Sequence, residues 1–458
     1  MPEAGLAPGD VVDAGLCIGC GACAAGQGAM GWDDYGQLKP TGAWTRAPTP
    51  QFALTCPFSP QAADEDALAS ARFPEPAHRD ARIGSFEAAY VGHVAQGAFR
   101  AEGSSGGMVS WVAAELLERG LIDGVAHVIP ADPATDGGFF RYRMSRSIDD
   151  VREGARSRYH PVEMSAMLEE VRAAPGRYAF VGVPCFIKAL NLLCAQDPVL
   201  EARIAYRLGL FCGHMKSARF VESFAWQLGA PMADVRAVEY RRKDPGRPAN
   251  WYTAHLTLAD GTARWQDWWH LVDGDWGAGY FQNPACSYCD DVVAETADIA
   301  FGDAWVEPYS SDGRGTNVVI VRSPELRDMV QAAIAEGRLA LEAVDAAFIA
   351  DTQAAGLRQR REGLAYRLRV APPRLPLRKR VAPGGHDLPW RRKLVYRSRM
   401  GITAGSHRVF ALARRAGSPW LYLRWARLSL RIYEAVTYLR GPLGKVLRRL
   451  DKTSREDA

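Results

Sequence analysis

Nine cysteines constrain this chain more than any other feature, because five of them stand in Cys-x2-Cys spacings. The run Cys17-Ile-Gly-Cys20-Gly-Ala-Cys23 lets one short loop set three thiolates around one face of an iron–sulfur cube. Gly19 and Gly21 allow the backbone to fold closely and to turn amides toward the sulfurs. Bacterial ferredoxins follow such a triplet with Cys-Pro four residues after the third cysteine, but that position is Gln27 here. A fourth ligand must come from elsewhere. Cys56-Pro57 is the candidate nearby, returned by a hairpin over residues 32–40. A zinc knuckle competes with this reading, although zinc sites usually pair two Cys-x2-Cys motifs.

The other cysteines are spread further along the chain. Cys185 follows Gly182-Val-Pro184 at the end of a strand and opens a helix, where the helix N-terminus favours a thiolate. Cys212 ends a strand over 206–211, and Cys286-Ser-Tyr-Cys289 is a Cys-x2-Cys pair in a loop. Together these four are enough for a second [4Fe–4S] cluster. Cys194 lies nine residues after Cys185, about 180° round a helix, and reads as a buried structural thiol.

Such cysteine usage suits the reducing cytosol better than a disulfide framework. Residues 1–10 show no basic region followed by an apolar core, and no run of about 18 apolar residues occurs. Cytoplasmic placement is therefore expected. A chain of 458 residues exceeds one ordinary core. Residues 1–80, short and punctuated by Gly and Pro, suit a small ligand-held, ferredoxin-like module. Residues 81–355 alternate strand-like segments (86–95, 124–129, 178–183, 204–211, 251–258, 297–301 and 317–321) with helical ones, so an α/β (α+β) domain on a mixed sheet is expected. Residues 356–458 form a Pro- and Gly-rich linker (370–390) and an arginine-rich helical tail. That last block holds 26 Lys plus Arg against 6 Asp plus Glu, a net +20, whereas the remainder carries −16. An acidic body with a basic tail points to two jobs.

One further motif carries chemistry. Ser104, Ser105, Gly106 and Gly107 lie between a strand and the helical segment 108–119, a geometry that can cradle a phosphate. It is neither a dinucleotide fingerprint nor a Walker loop, and taken alone it reads more readily as a tight turn.

This motif, with Gly120-Leu-Ile-Asp-Gly124, Gly182-Val-Pro-Cys185, Phe211-Cys212, Cys286-x2-Cys289 and Ala297-Asp-Ile-Ala-Phe-Gly-Asp-Ala-Trp305, resembles the coenzyme F420 hydrogenase/dehydrogenase β-subunit family. The likeness covers residues 10–345, in the family's order. It implies a flavoprotein with one or more [4Fe–4S] clusters, similar to deazaflavin-reducing subunits and to the plant 7-hydroxymethyl chlorophyll a reductase, which uses ferredoxin. It implies FAD, with Ser104–Gly107 near its phosphates and Arg158 and Tyr159 in the same site. The function expected is transfer of electrons between a ferredoxin-like one-electron donor, or a partner redox subunit, and a small two-electron acceptor. A non-catalytic electron-transfer subunit of a larger complex is the alternative. No motif encodes the acceptor's identity.

Proton-moving residues are harder to read. His160, Lys188, His214 and Asp303 are candidates by position, each with a structural reading beside it. Trp265, Trp268, Trp269 and Trp276 cover a pocket or build core. In the tail, residues 420–450 mix Trp420, Leu421, Tyr422, Trp425 and Leu428 with Arg424, Arg427, Arg431 and Arg440. This suits an anionic membrane surface on the inner face, or docking on the acidic body or a partner. Nucleic acid is disfavoured, since no binding motif is present. A tail of this kind should be separable: a chain cut at about residue 370 is expected to keep both clusters and flavin.

Overall fold

A computed structural model describes residues 5–456; residues 1–4 of the stretch read for a leader, and 457–458 of the tail, lie outside the described residues. Its centre is an eight-stranded mixed sheet. In chain order the strands are β1 (Ala88–Val94), β2 (Gly124–Pro130), β3 (Phe140–Ser145), β4 (Tyr178–Gly182), β5 (Ile204–Leu210), β6 (Ile299–Asp303), β7 (Asn317–Val321) and β8 (Leu339–Ala343). They lie in the order β8-β1-β7-β6-β5-β4-β2-β3. The run β6-β5-β4-β2 is parallel, and antiparallel strands close both edges. Asn317-Val-Val-Ile-Val321 is buried along its length, as a strand covered on both faces must be.

Side-chain alternation sorts the two faces. Ala179 and Val181 of β4 pack with Met108, Trp111 and Val112 of helix α1 (Met108–Glu118). Tyr178 and Phe180 pack on the other side with Phe186, Ala189 and Leu190 of helix α2 (Pro184–Cys194). The N-terminal module sits on this second face, with a hairpin (Ala29–Trp32 with Leu38–Thr41) and a helix (Glu65–Arg72).

Two features depart from the expected layout. Thr253–Leu258 does not join the main sheet but forms the middle of a separate three-stranded antiparallel sheet with Val235–Arg242 and Ala263–Asp267. The basic segment is also no appendage. Its helices α3 (Trp390–Arg415), α4 (Pro419–Tyr438) and α5 (Gly441–Glu456) share one core with that small sheet, in which Phe410, Tyr422 and Tyr433 meet Tyr240, Leu256 and Phe281. Aromatic side chains in the tail make this possible, because they bury more area than the arginines around them.

Candidate redox site

In the N-terminal module Gly19 and Gly21 adopt left-handed backbone, with φ of 76° and 79°. A Cβ at Gly19 would lie 2.5 Å from the carbonyl oxygen of Leu38, and one at Gly21 would strike Glu163. The loop therefore closes only with glycine at both places. Lys39, on the hairpin, donates to the carbonyl of Cys17 at 2.6 Å. The short helix Pro50–Thr55, capped by Thr49, ends at Cys56. Cys17, Cys20, Cys23 and Cys56 line one void of about 440 Å3, mouth included, walled otherwise by Val11, Leu16, Phe52 and Phe58. Burial pushes the Cys20 thiol up to about 12 and the Cys23 and Cys56 thiols well above the ordinary range, with neighbouring cysteines adding to the effect. Four thiolates are tenable in such a place only around a cationic group. Donor set and apolar wall fit a four-iron cluster.

A second set forms at the sheet. Because β4 and β5 are adjacent and parallel, Cys185 at the start of α2 and Cys212 beyond Leu210 leave the same edge. Cys286 lies in the turn Pro284–Tyr288, directly before Cys289. Burial raises the Cys185, Cys212 and Cys286 thiols, and the four cysteines lie within electrostatic reach of one another. The amide of Met215 donates to Cys286 Sγ at 3.3 Å. Arg360 donates to the carbonyls of Cys286 and Gly213, and it feels all four thiols. Four thiols with a buried cation at their side again fit a four-iron cluster. Cys194, at the far end of α2, is buried beside Arg207 and apart from both sets. Among the described residues no three His, Cys, Asp or Glu side chains are arranged to hold a single metal ion.

The two sets share one apolar core, and Tyr142 lies within electrostatic reach of both Cys20 and Cys185. Its hydroxyl donates to Val181 at 3.0 Å. From the second set an aromatic run leads onward. His214 stacks on Trp276 with centroids 4.1 Å apart, and Trp276 meets Tyr159 at 4.7 Å.

Tyr159 adjoins Arg158, whose guanidinium lies over the Phe140 ring, donates to Ala155 O and leaves a buried Nε without a partner. Burial, with Arg156 nearby, pulls Arg158 down to about 10. Ser104 Oγ accepts from the amide of Ser157, which joins this segment to the Ser/Gly loop. Lys243 donates to the carbonyls of Arg100, Ser105 and Arg314 around the same loop. An under-partnered guanidinium among further cations fits an anionic group such as a flavin phosphate. Gly106 has a more local reason to be glycine: a Cβ there would come within 2.8 Å of both Asn317 Oδ1 and the carbonyl of Gly92.

Two stretches of the chain match the family described as coenzyme F420 hydrogenase/dehydrogenase, beta subunit: residues 89–169 match its N-terminal part and residues 176–347 its C-terminal part. The chain belongs to this F420 hydrogenase/dehydrogenase beta-subunit family. No curated protein matches the chain. Among solved structures it is similar to the F420-reducing [NiFe] hydrogenase complex from Methanosarcina barkeri, at 17% identity over 62% of this chain and 92% of that one, with a TM-score of 0.47. Family membership makes the chain a redox protein of the oxidoreductase-subunit type.

Most of the candidate proton carriers are committed elsewhere. Lys188 pairs with Glu65 at 3.1 Å, both buried, and ties α2 to the N-terminal module. Asp303 receives two bonds from Arg241, at 2.8 and 3.0 Å. His160 sits among Trp32, Phe139 and Phe140, with Nδ1 2.9 Å from the hydroxyl of Tyr240, and burial lowers it to about 3. His214 keeps a buried Nε2 without a partner. Of the four tryptophans, Trp268 is core, Trp276 belongs to the aromatic run, and Trp265 and Trp269 are exposed. Arg360, Tyr142 and Lys243 were not foreseen. A lone arginine in a basic segment carries no local signal that it turns inward.

Proposed function

We propose that the chain is a flavin- and iron–sulfur-dependent oxidoreductase, passing electrons between a ferredoxin-like one-electron donor and a small two-electron acceptor through two [4Fe–4S] clusters and FAD. The contiguity of the candidate groups carries this reading. Two cysteine quartets abut one core, and His214, Trp276 and Tyr159 continue from the second quartet toward Arg158 and Ser104. When bound, four-iron clusters exchange single electrons and flavin stores two.

The chain's own residues bind, orient and exclude water. Cys17, Cys20, Cys23 and Cys56 would hold the entry cluster, and Cys185, Cys212, Cys286 and Cys289 the relay. Arg360 offsets negative charge at the relay. Arg158, with Ser104, Ser105, Gly106, Gly107 and Tyr159 around it, would meet the flavin phosphates. Tyr142, Phe186 and Trp276 keep water from the spaces between the groups. His160 stays neutral near pH 7 and does not supply a proton there. All nine cysteines are unpaired thiols, which suits the cytoplasm.

Anaerobic full-length protein mixed with reduced ferredoxin tests the reading. Its flavin should be reduced after its clusters, and it should pass electrons to an added small two-electron acceptor, from a panel that includes a deazaflavin, without a further polypeptide. Cluster reduction with no turnover would favour a non-catalytic electron-transfer role. Protein that carries zinc in place of iron would overturn the proposal.

A further inference from the structure

The C-terminal helices use one side to dock on the body. In α4, Tyr422 donates to Asp273 at 2.9 Å, and the carbonyl of Ala426 accepts from Tyr280 at 2.9 Å. In α3, Arg414 pairs with Glu222, and Ser406 accepts from the amide of Phe281. These contacts favour docking on the acidic body for the inward faces.

The outward face of α4 is of a different kind. Leu421, Leu428 and Ile432 form a ridge at helical spacing and are exposed, Leu428 to 60%. Beside this ridge run Arg424, Arg427 and Arg431, also exposed. The helix's one carboxylate, Glu434, pairs with Arg440 instead. Trp420, 56% exposed, stands at the start of the face with the Arg424 guanidinium 5.0 Å from its ring. Helix α5 repeats the pattern, with Leu443 and Val446 exposed on one side and Lys445 and Arg448 on the other. Residues 390–450 hold 15 Lys plus Arg and a single carboxylate.

Leucine ridges this exposed are costly in water, and charge alone gives them no cover. Nucleic acid would use the arginines but not the leucines. The core of a protein interface is depleted of charge, whereas here cations flank the apolar ridge closely. A bilayer surface takes both, because apolar side chains enter the headgroup boundary while arginines stay at the phosphates. No helix among the described residues is long and apolar enough to cross a membrane.

We propose that the outward face of α4 and α5 docks on an anionic bilayer surface, with Leu421, Leu428 and Ile432 entering the headgroup region and Arg424, Arg427 and Arg431 on lipid phosphates. This is independent of the redox reading.

The test is co-sedimentation of the full-length, cluster-loaded protein with vesicles. It should bind phosphatidylglycerol-containing vesicles at low salt, ignore pure phosphatidylcholine, and be released as salt rises. The triple variant R424Q/R427Q/R431Q should bind on the order of a hundredfold more weakly. L421S/L428S/I432S should bind the anionic vesicles more weakly than the parent at the same low salt. All six side chains are exposed, so visible absorption and thermal midpoint should not change in either variant. Full-length protein that ignores anionic vesicles at low salt overturns the proposal, whatever the variants do. So does an arginine variant that binds like the parent. A dimer that L421S/L428S/I432S dissociates would assign the face to a second copy instead.

Discussion

The guanidinium of Arg360 donates to the main-chain carbonyl of Cys286, and from there it faces all four cysteines of the second quartet. Arg360 lies beyond the residues matched to the family and is buried. A fixed cation favours the more negative, reduced form of whatever the thiolates hold. Arg360→Gln should therefore lower the midpoint potential of one cluster and leave the other unchanged, with Arg360→Lys between. Redox titration followed by electron paramagnetic resonance reads both. Unaltered potentials in both clusters would deny Arg360 this role.

A second consequence concerns the strap before α3. Arg380 pairs with Glu295 at 2.7 Å, and Lys379 pairs with Asp290 at 3.0 Å; both carboxylates are buried. Lys379 also lies over the ring of Phe58, so the strap spans from the second quartet's loop to the N-terminal module. Removing one partner of a buried pair strands a charge, and Arg380→Ala should cost about 3 kcal/mol in denaturant unfolding. These contacts weigh against the expectation that a chain cut at about residue 370 keeps both clusters and flavin. That cut removes Lys379, Arg380 and the Tyr422–Asp273 contact together, and such a chain should fail to load its full iron.

Arg158 separates flavin from iron. Arg158→Gln removes a buried cation with an unpartnered Nε, next to the segment that Ser104 holds. Flavin released on denaturation should fall severalfold while iron per chain stays constant. Full flavin occupancy in this variant would move the phosphate site elsewhere.

His160 ties stability to pH. Burial lowers it to about 3 from an ordinary 6.5, so the folded chain refuses a proton that the unfolded chain accepts. The stabilisation is complete above about pH 6.5 and declines as pH falls toward 3, by about 1.4 kcal/mol per unit. Between about pH 7.5 and 5.5 the parent should lose about 1.4 kcal/mol more than His160→Phe, measured by denaturant unfolding. Equal losses would mean that His160 accepts its proton without unfolding.

Much of the site was legible because its signals are local. Cys17-x2-Cys20-x2-Cys23 and Cys286-x2-Cys289 are short loops, and the structure gathers Cys56 beside the first and Cys185 and Cys212 beside the second. Strands β4, β5 and β7 showed as apolar runs because both of their faces are covered. Strand β3 did not, since its sequence Phe-Arg-Tyr-Arg-Met-Ser alternates arginines outward at an edge. That Thr253–Leu258 pairs outside the main sheet is a long-range choice with no local mark. The tail's charge was plain, but which arginines turn inward depends on carbonyls and carboxylates far away in sequence. Arg360 and Arg380 show this.

Iron, zinc and flavin counted per chain in anaerobically purified full-length protein bear most directly on the proposed assignment of two clusters and one flavin. About eight iron atoms and one FAD are expected, with Cys56→Ser and Cys289→Ser each removing roughly half the iron and Cys194→Ser removing none. Zinc in place of iron would contradict this assignment. So would loss of a cluster in Cys194→Ser while Cys56→Ser keeps both.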